Sequence, residues 1–141
     1  MKTKRTSSNF LRFALGVAGI LLFCTDVHAC SPDPCADVPT FTAESGSVSA
    51  PDLSTPNTVA FTLSDKAILA ADDFSIAAGR TVVFNLPDLF SSALIRVNGA
   101  HPTDIVGDLL SNGKILLVNP NGINIAQGAN IRTQDFTAST L

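Results

Sequence analysis

The strongest constraint on this chain is its punctuation. From Thr58 onward the apolar residues come in bursts of three to six, rich in Val, Ile, Leu and Phe, and each burst is closed by a turn signal. The bursts are Thr58–Leu63, Phe74–Ile76, Thr81–Leu86, Lys114–Val118, Ile123–Ile125 and Ala129–Arg132. Between them stand Ala78-Gly79, Asn98-Gly99, Asn112-Gly113, Asn119-Pro120-Asn121-Gly122 and Gln127-Gly128. Alternating residues of this kind read as short strands, and Asn and Gly read as tight corners. The segment Asp65–Asp72 is too short for its periodicity to choose between a helical turn and a strand. Two architectures meet the pattern. One is an antiparallel sandwich or meander joined by Asn-Gly hairpins; the other is a parallel β-helix in which each short strand is one side of a coil.

The N-terminus follows different rules. Residues 1–29 hold Lys2, Lys4, Arg5 and Arg12 against Asp26, a net charge of +3; the other 112 residues hold five basic and eleven acidic groups, a net of −6. After Arg12 an uncharged apolar run extends from Phe13 to Cys24, and Val27-His28-Ala29 resembles an A-x-A cleavage site. The run is about 12 residues, short of the ~20 a membrane-spanning helix needs. Residues 1–29 are therefore expected to be a secretory signal peptide cut after Ala29. An uncleaved anchor is the plain alternative, and lipidation of Cys30 is another, although His28 fits a lipobox poorly.

Export into an oxidising compartment permits a Cys30–Cys35 disulfide in the loop Cys-Ser-Pro-Asp-Pro-Cys. Lipidation of Cys30 would exclude that bond. Zinc is a poor fit, because His101 is the single histidine after residue 29 and lies far from both thiols. Residues 30–57 carry five of the eight prolines and much Ser, Thr and Asp, and read as a leader capable of edge or extended structure at best.

Composition excludes other classes. With 45% hydrophobic and 15% charged residues the chain is not of the disordered type, and 9 Lys+Arg against 12 Asp+Glu excludes a charge-driven nucleic-acid partner. Catalytic candidates are thin. Asp72 and Asp73, or His101 with Asp104 and Asp108, could serve a polysaccharide-active β-helix enzyme, but solvated turns account for them as well. Asp104 and Asp108 would approach each other only on a helix. Ser91 and Ser92 lack a nucleophile elbow, and no spaced acidic loop suggests calcium. No enzyme activity, cofactor or metal is expected.

The segment Ser111–Ile123, SNGKILLVNPNGI, resembles the signature of the secretion domain of two-partner-secretion (TPS) exoproteins, the group of filamentous haemagglutinins and high-molecular-weight adhesins. Asp73–Phe84, Leu86-Pro87, Ala93–Val97, Ile105–Leu109 and Phe136–Leu141 fit the same pattern in order, so residues 58–141 read as a partial TPS domain. Two positions depart from it: Ile95 where the family often has Asn, and Ala71 where it often has Trp. The resemblance implies an all-β fold, a right-handed parallel β-helix, which settles the choice left open above. It also implies recognition by the periplasmic domains of an outer-membrane β-barrel transporter, and release to the surface of a Gram-negative cell. Downstream β-helix repeats, or a host-cell receptor for an adhesin or haemagglutinin-type body, would be partners of a longer protein, of which this chain would be a truncated N-terminal piece. A membrane-tethered lipoprotein with a β-rich binding domain is the alternative.

Within the motif, Pro120 fixes its own φ and keeps Asn119 out of the α region, while Gly122 supplies a positive φ and Asn121 tolerates one. Asn119, Pro120, Asn121, Gly122 and Ile123 are thus the expected corner, and the resemblance implies that they are also the transporter-recognition residues. By the same resemblance, Asn119 is the one expected to act on export rather than on the fold.

Overall fold

The computed structural model describes residues 38–141. The signal sequence and the Cys30 and Cys35 pair lie outside the described residues.

Eleven strands and no helix occur among the described residues. They are β1 (Thr42–Ser45), β2 (Thr58–Thr62), β3 (Ala67–Ala71), β4 (Thr81–Asn85), β5 (Ser92–Val97), β6 (Thr103–Ile105), β7 (Asp108–Ser111), β8 (Lys114–Val118), β9 (Ile123–Ile125), β10 (Asn130–Arg132) and β11 (Asp135–Ser139). They form three sheets in the orders β1-β3-β5-β8-β11, β10-β7-β4-β2 and β6-β9. Every pairing is parallel except β1 with β3. The chain therefore winds as a parallel β-helix of roughly four coils, as the resemblance implied, and not as hairpins. Partners in paired parallel strands lie 20 to 27 residues apart, from Thr103 opposite Ile123 to Thr81 opposite Asp108, and the parallel bridge from Ile76 to Ile105 spans 29.

Parallel register stacks like on like. Val59, Val82, Leu109 and Ile131 line one inner wall. Leu69, Ile95, Leu117 and Ala138 line another, beside Ala67, Ala93, Ile115 and Phe136. Alternation along each strand sends every second side chain inward; β3 and β5 show it as buried positions at Ala67, Leu69, Ala71, Ala93, Ile95 and Val97. The segment left undecided in the sequence is thus strand β3. Ile95 has a physical reason as well: it is fully buried between Leu69 and Leu117, where an apolar residue completes the stack. Burying such a side chain stabilises the fold by about 1.5–3 kcal/mol.

The leader contributes to this domain more than its prolines suggest. β1 lies along the free edge of β3, and the bridges Val48–Leu63 and Asp52–Ala60 run antiparallel to the edge of β2. Phe41 packs its ring against Phe61, Phe74 and Phe84, with centroids 5.0, 5.8 and 5.7 Å away. The Arg96–Glu44 ion pair, at 3.0 Å and half exposed, ties β5 to β1 across β3. Pairing plus an aromatic plug covers the strand edges that would otherwise invite association.

Candidate functional site

The corner after β8 is built on one buried side chain. Asn119 has no exposure to solvent. Its Nδ2 donates to the carbonyl of His101 and to Oγ1 of Thr103, both at 3.0 Å, and its Oδ1 accepts from the amide of Asn121 at 2.9 Å. The backbone is equally committed. The Asn119 amide donates to the Ser139 carbonyl at 3.0 Å, the Gly122 amide to the Asn119 carbonyl at 3.1 Å, and the Thr103 amide to the Gly122 carbonyl at 3.0 Å. One Asn thus joins three coils: the one that carries it, the one holding His101 and Thr103, and the one ending at Ser139. Thr103 is also fully buried, so both polar side chains find their partners inside the protein.

The other motif residues take separate positions. Pro120 and Asn121 are exposed, and Asn121 donates its Nδ2 to the Gly99 carbonyl. Gly122 has φ +120°, as expected for the corner, with Pro102 as its near neighbour. Asn121 does not share the positive φ; its side chain serves as a strut to the coil below. Ile123 opens β9 opposite Thr103 and packs half-buried against the core. Structure thus separates a hidden clamp, Asn119, from an exposed tip, Pro120-Asn121. In the folded domain solvent does not reach the Asn119 side chain, so its role there is to hold the shape of the corner.

Sequence reasoning missed the receiving side of the clamp: Gly99, His101 and Thr103. A signal was available, since Asn98-Gly99 precedes Asn121-Gly122 by about one coil length, but only a known register makes that spacing meaningful.

The remaining candidates do not converge. Asp104 lies on β6, where its Oδ1 accepts from Asn124 Nδ2 at 3.0 Å, and Asp108 lies on β7 in register with Thr81 and Asn130. Asp72 and Asp73 are exposed at a bend, and the His101 side chain is exposed. Ser91 is buried, donating its hydroxyl to Asp88 at 2.9 Å. Asp88 also accepts the amides of Phe90 and Ser91, each at 2.8 Å. The Ser91 hydroxyl foremost, then the Phe90 amide, holds its carboxyl below the usual carboxylate range. These are turn caps. Among the described residues no group of three His, Cys, Asp or Glu side chains is placed to hold a metal ion.

The fold and its clasped corner define a class, a parallel β-helix that closes on an Asn-Pro-Asn-Gly turn. Residues 48–141 match the family described as the TPS secretion domain, and the chain belongs to that family. It is 43% identical over 67 residues to a heme/hemopexin-binding protein of Haemophilus influenzae strain Rd, a match covering 48% of this chain and 7% of that one. A second Haemophilus influenzae heme/hemopexin-binding protein is 40% identical over 77 residues, covering 55% of this chain and 8% of the relative. Among solved structures, the secretion domain of HMW1 from Haemophilus influenzae superposes with a TM-score of 0.69 at 32% identity, over 72% of this chain and 27% of that chain. The chain therefore aligns with less than a tenth of the length of the curated relatives it matches.

Proposed function

We propose that this domain is the export determinant of a two-partner-secretion exoprotein, recognised in the periplasm by a dedicated outer-membrane β-barrel transporter. In this reading residues 1–29 direct the chain through the general secretory route and are removed after Ala29, and Cys30 and Cys35 then form a disulfide. The domain crosses through the transporter and winds its coils at the surface of a Gram-negative cell. The observation that carries the reading is the clasped corner within a parallel β-helix of the TPS family: Asn119 holds it from inside while Pro120 and Asn121 stand in solvent, with Gly122 and Ile123 completing the turn.

The exported body would be adhesin- or haemagglutinin-like, acting through downstream β-helix repeats or a host-cell receptor. The names of the two relatives support a second reading for that body, heme or hemopexin binding; a longer protein tested for both separates the two. For the export function itself, the full chain is fused to a neutral reporter and release is measured in cells with and without the matching transporter. Release is expected only with the transporter. Release without it, or retention on the membrane with a diacylglycerol adduct on Cys30, would overturn the reading in favour of a lipoprotein. The intact mass of exported protein reports cleavage and disulfide together.

A further inference from the structure

Three Asn-Gly pairs occur among the described residues, at 98–99, 112–113 and 121–122. Such pairs deamidate when the glycine amide nitrogen reaches the asparagine side-chain carbonyl carbon. Reaction needs a mobile carboxamide and a glycine N–H free to lose its proton. The fold withholds both at two of the pairs. Asn112 accepts the Leu86 amide and donates to the Leu86 carbonyl, both at 2.7 Å, while the Gly113 amide donates to Ser111 Oγ at 3.1 Å. Asn121 is held on the Gly99 carbonyl, while the Gly122 amide donates to the Asn119 carbonyl at 3.1 Å. Neither restraint exists at the first pair. The Asn98 side chain is exposed, and among the described residues neither its carboxamide nor the Gly99 amide makes a hydrogen bond.

We propose that Asn98 is the site of spontaneous succinimide-mediated deamidation in the folded protein, and that its product loosens the export corner. The Gly99 nitrogen gives its proton to solvent and forms a bond to Asn98 Cγ. The Cγ–Nδ2 bond breaks, and Nδ2 takes a proton from water and leaves as ammonia. Water then opens the five-membered ring at either carbonyl, giving aspartate or isoaspartate. Overall one water is consumed and one ammonia released, with no oxidant or reductant. The position matters because Gly99 lies at a close approach of two coils: a Cβ there would collide with the Asp72 carbonyl oxygen. The Gly99 carbonyl is also the acceptor for Asn121. Isoaspartate adds a backbone atom beside that contact, and either product adds a negative charge near Asp72.

The purified chain is incubated at mildly alkaline pH in heavy-oxygen water, digested, and each Asn-Gly peptide read by mass spectrometry. Breaking two hydrogen bonds before attack slows a pinned pair by roughly tenfold or more, so label should enter at Asn98 at least that much faster than at Asn112 or Asn121. In denaturant the three rates should converge to within a few-fold, and Asn98→Gln should abolish the fast phase. Equal rates in the folded protein, or faster labelling at Asn112 or Asn121, would overturn the site. Hydrogen exchange on the separated modified fraction tests the consequence: the Asn121 and Gly122 amides should exchange faster than in unmodified protein, and equal exchange would overturn the link to the corner.

Discussion

The two ends of the β-helix are finished differently. At the N-terminal end the first coil is covered: β1 pairs along β3, residues 48–52 bridge to β2 and Leu63, and Phe41 closes the interior over Phe61, Phe74 and Phe84. At the other end β9, β10 and β11 each pair on one side, and their inward residues Ile131 and Phe136 are half-buried while Ile125 is 47% exposed. The residue types are similar; the burial is not. An inward side chain in a β-helix is buried by the coils above and below it, so its contribution depends on its place in the stack rather than on its identity.

Substitutions along the axis sharpen that contrast. The largest effect belongs to Phe84→Ala: this ring has no solvent exposure, and its loss should cost about 3–5 kcal/mol and a lower denaturation midpoint. Phe136→Ala, the same change in the last coil, should cost only about 1–2 kcal/mol, since no closed cavity is left behind. Equal losses in chemical denaturation would break the comparison. Next come the corner variants. Gly122→Val forces a β-branched side chain to φ +120° and should cost about 1–3 kcal/mol. Asn119→Ala leaves the buried Thr103 hydroxyl and the His101 carbonyl without their donor, for a similar loss of about 1–3 kcal/mol. It should lower export and thermal stability together. Asn121→Ala, whose side chain lies at the surface, should reduce export with a smaller change in melting.

Acid gives a milder effect. Because the Asp88 carboxyl titrates lower in the folded protein than in the unfolded chain, its contribution is complete above the ordinary carboxylate pKa. It fades as pH falls through the depressed one. Asp88→Asn should flatten that part of the acid-stability profile, as followed by circular dichroism. The smallest effect is expected at Phe90, 84% exposed at the tip of the loop that Asp88 caps. Phe90→Ser should change stability by less than about 0.5 kcal/mol, in contrast to Phe84 six residues before it.

How far the sequence revealed this depends on the element. β2, β4, β8, β9 and β10 were legible as alternating bursts, because inward and outward positions differ in polarity. The choice between hairpins and coils was not legible from pattern, since both satisfy the same alternation. Coil length also varies too much to show a period: the corner between the second and first sheets takes four residues at 63–66, six at 86–91 and two at 112–113. β3 was obscured by its alanines, which suit a helix equally. The cap was under-read because prolines marked residues 30–57 as a leader, while Phe41 and Val48, which anchor it, are single apolar residues without periodicity. At the corner, the turn chemistry of Pro120 and Gly122 could be read directly. The inward rotamer of Asn119 and its partners on the previous coil required the register.

Native-state hydrogen exchange on the purified chain tests most directly the claim that burial, and with it stability, is set by place in the stack. Amides of β3 and β5, flanked on both sides, should exchange only near global unfolding, with protection falling through β8 to β11. Uniform protection from β3 to β11, or a last coil protected as strongly as the first, would contradict it.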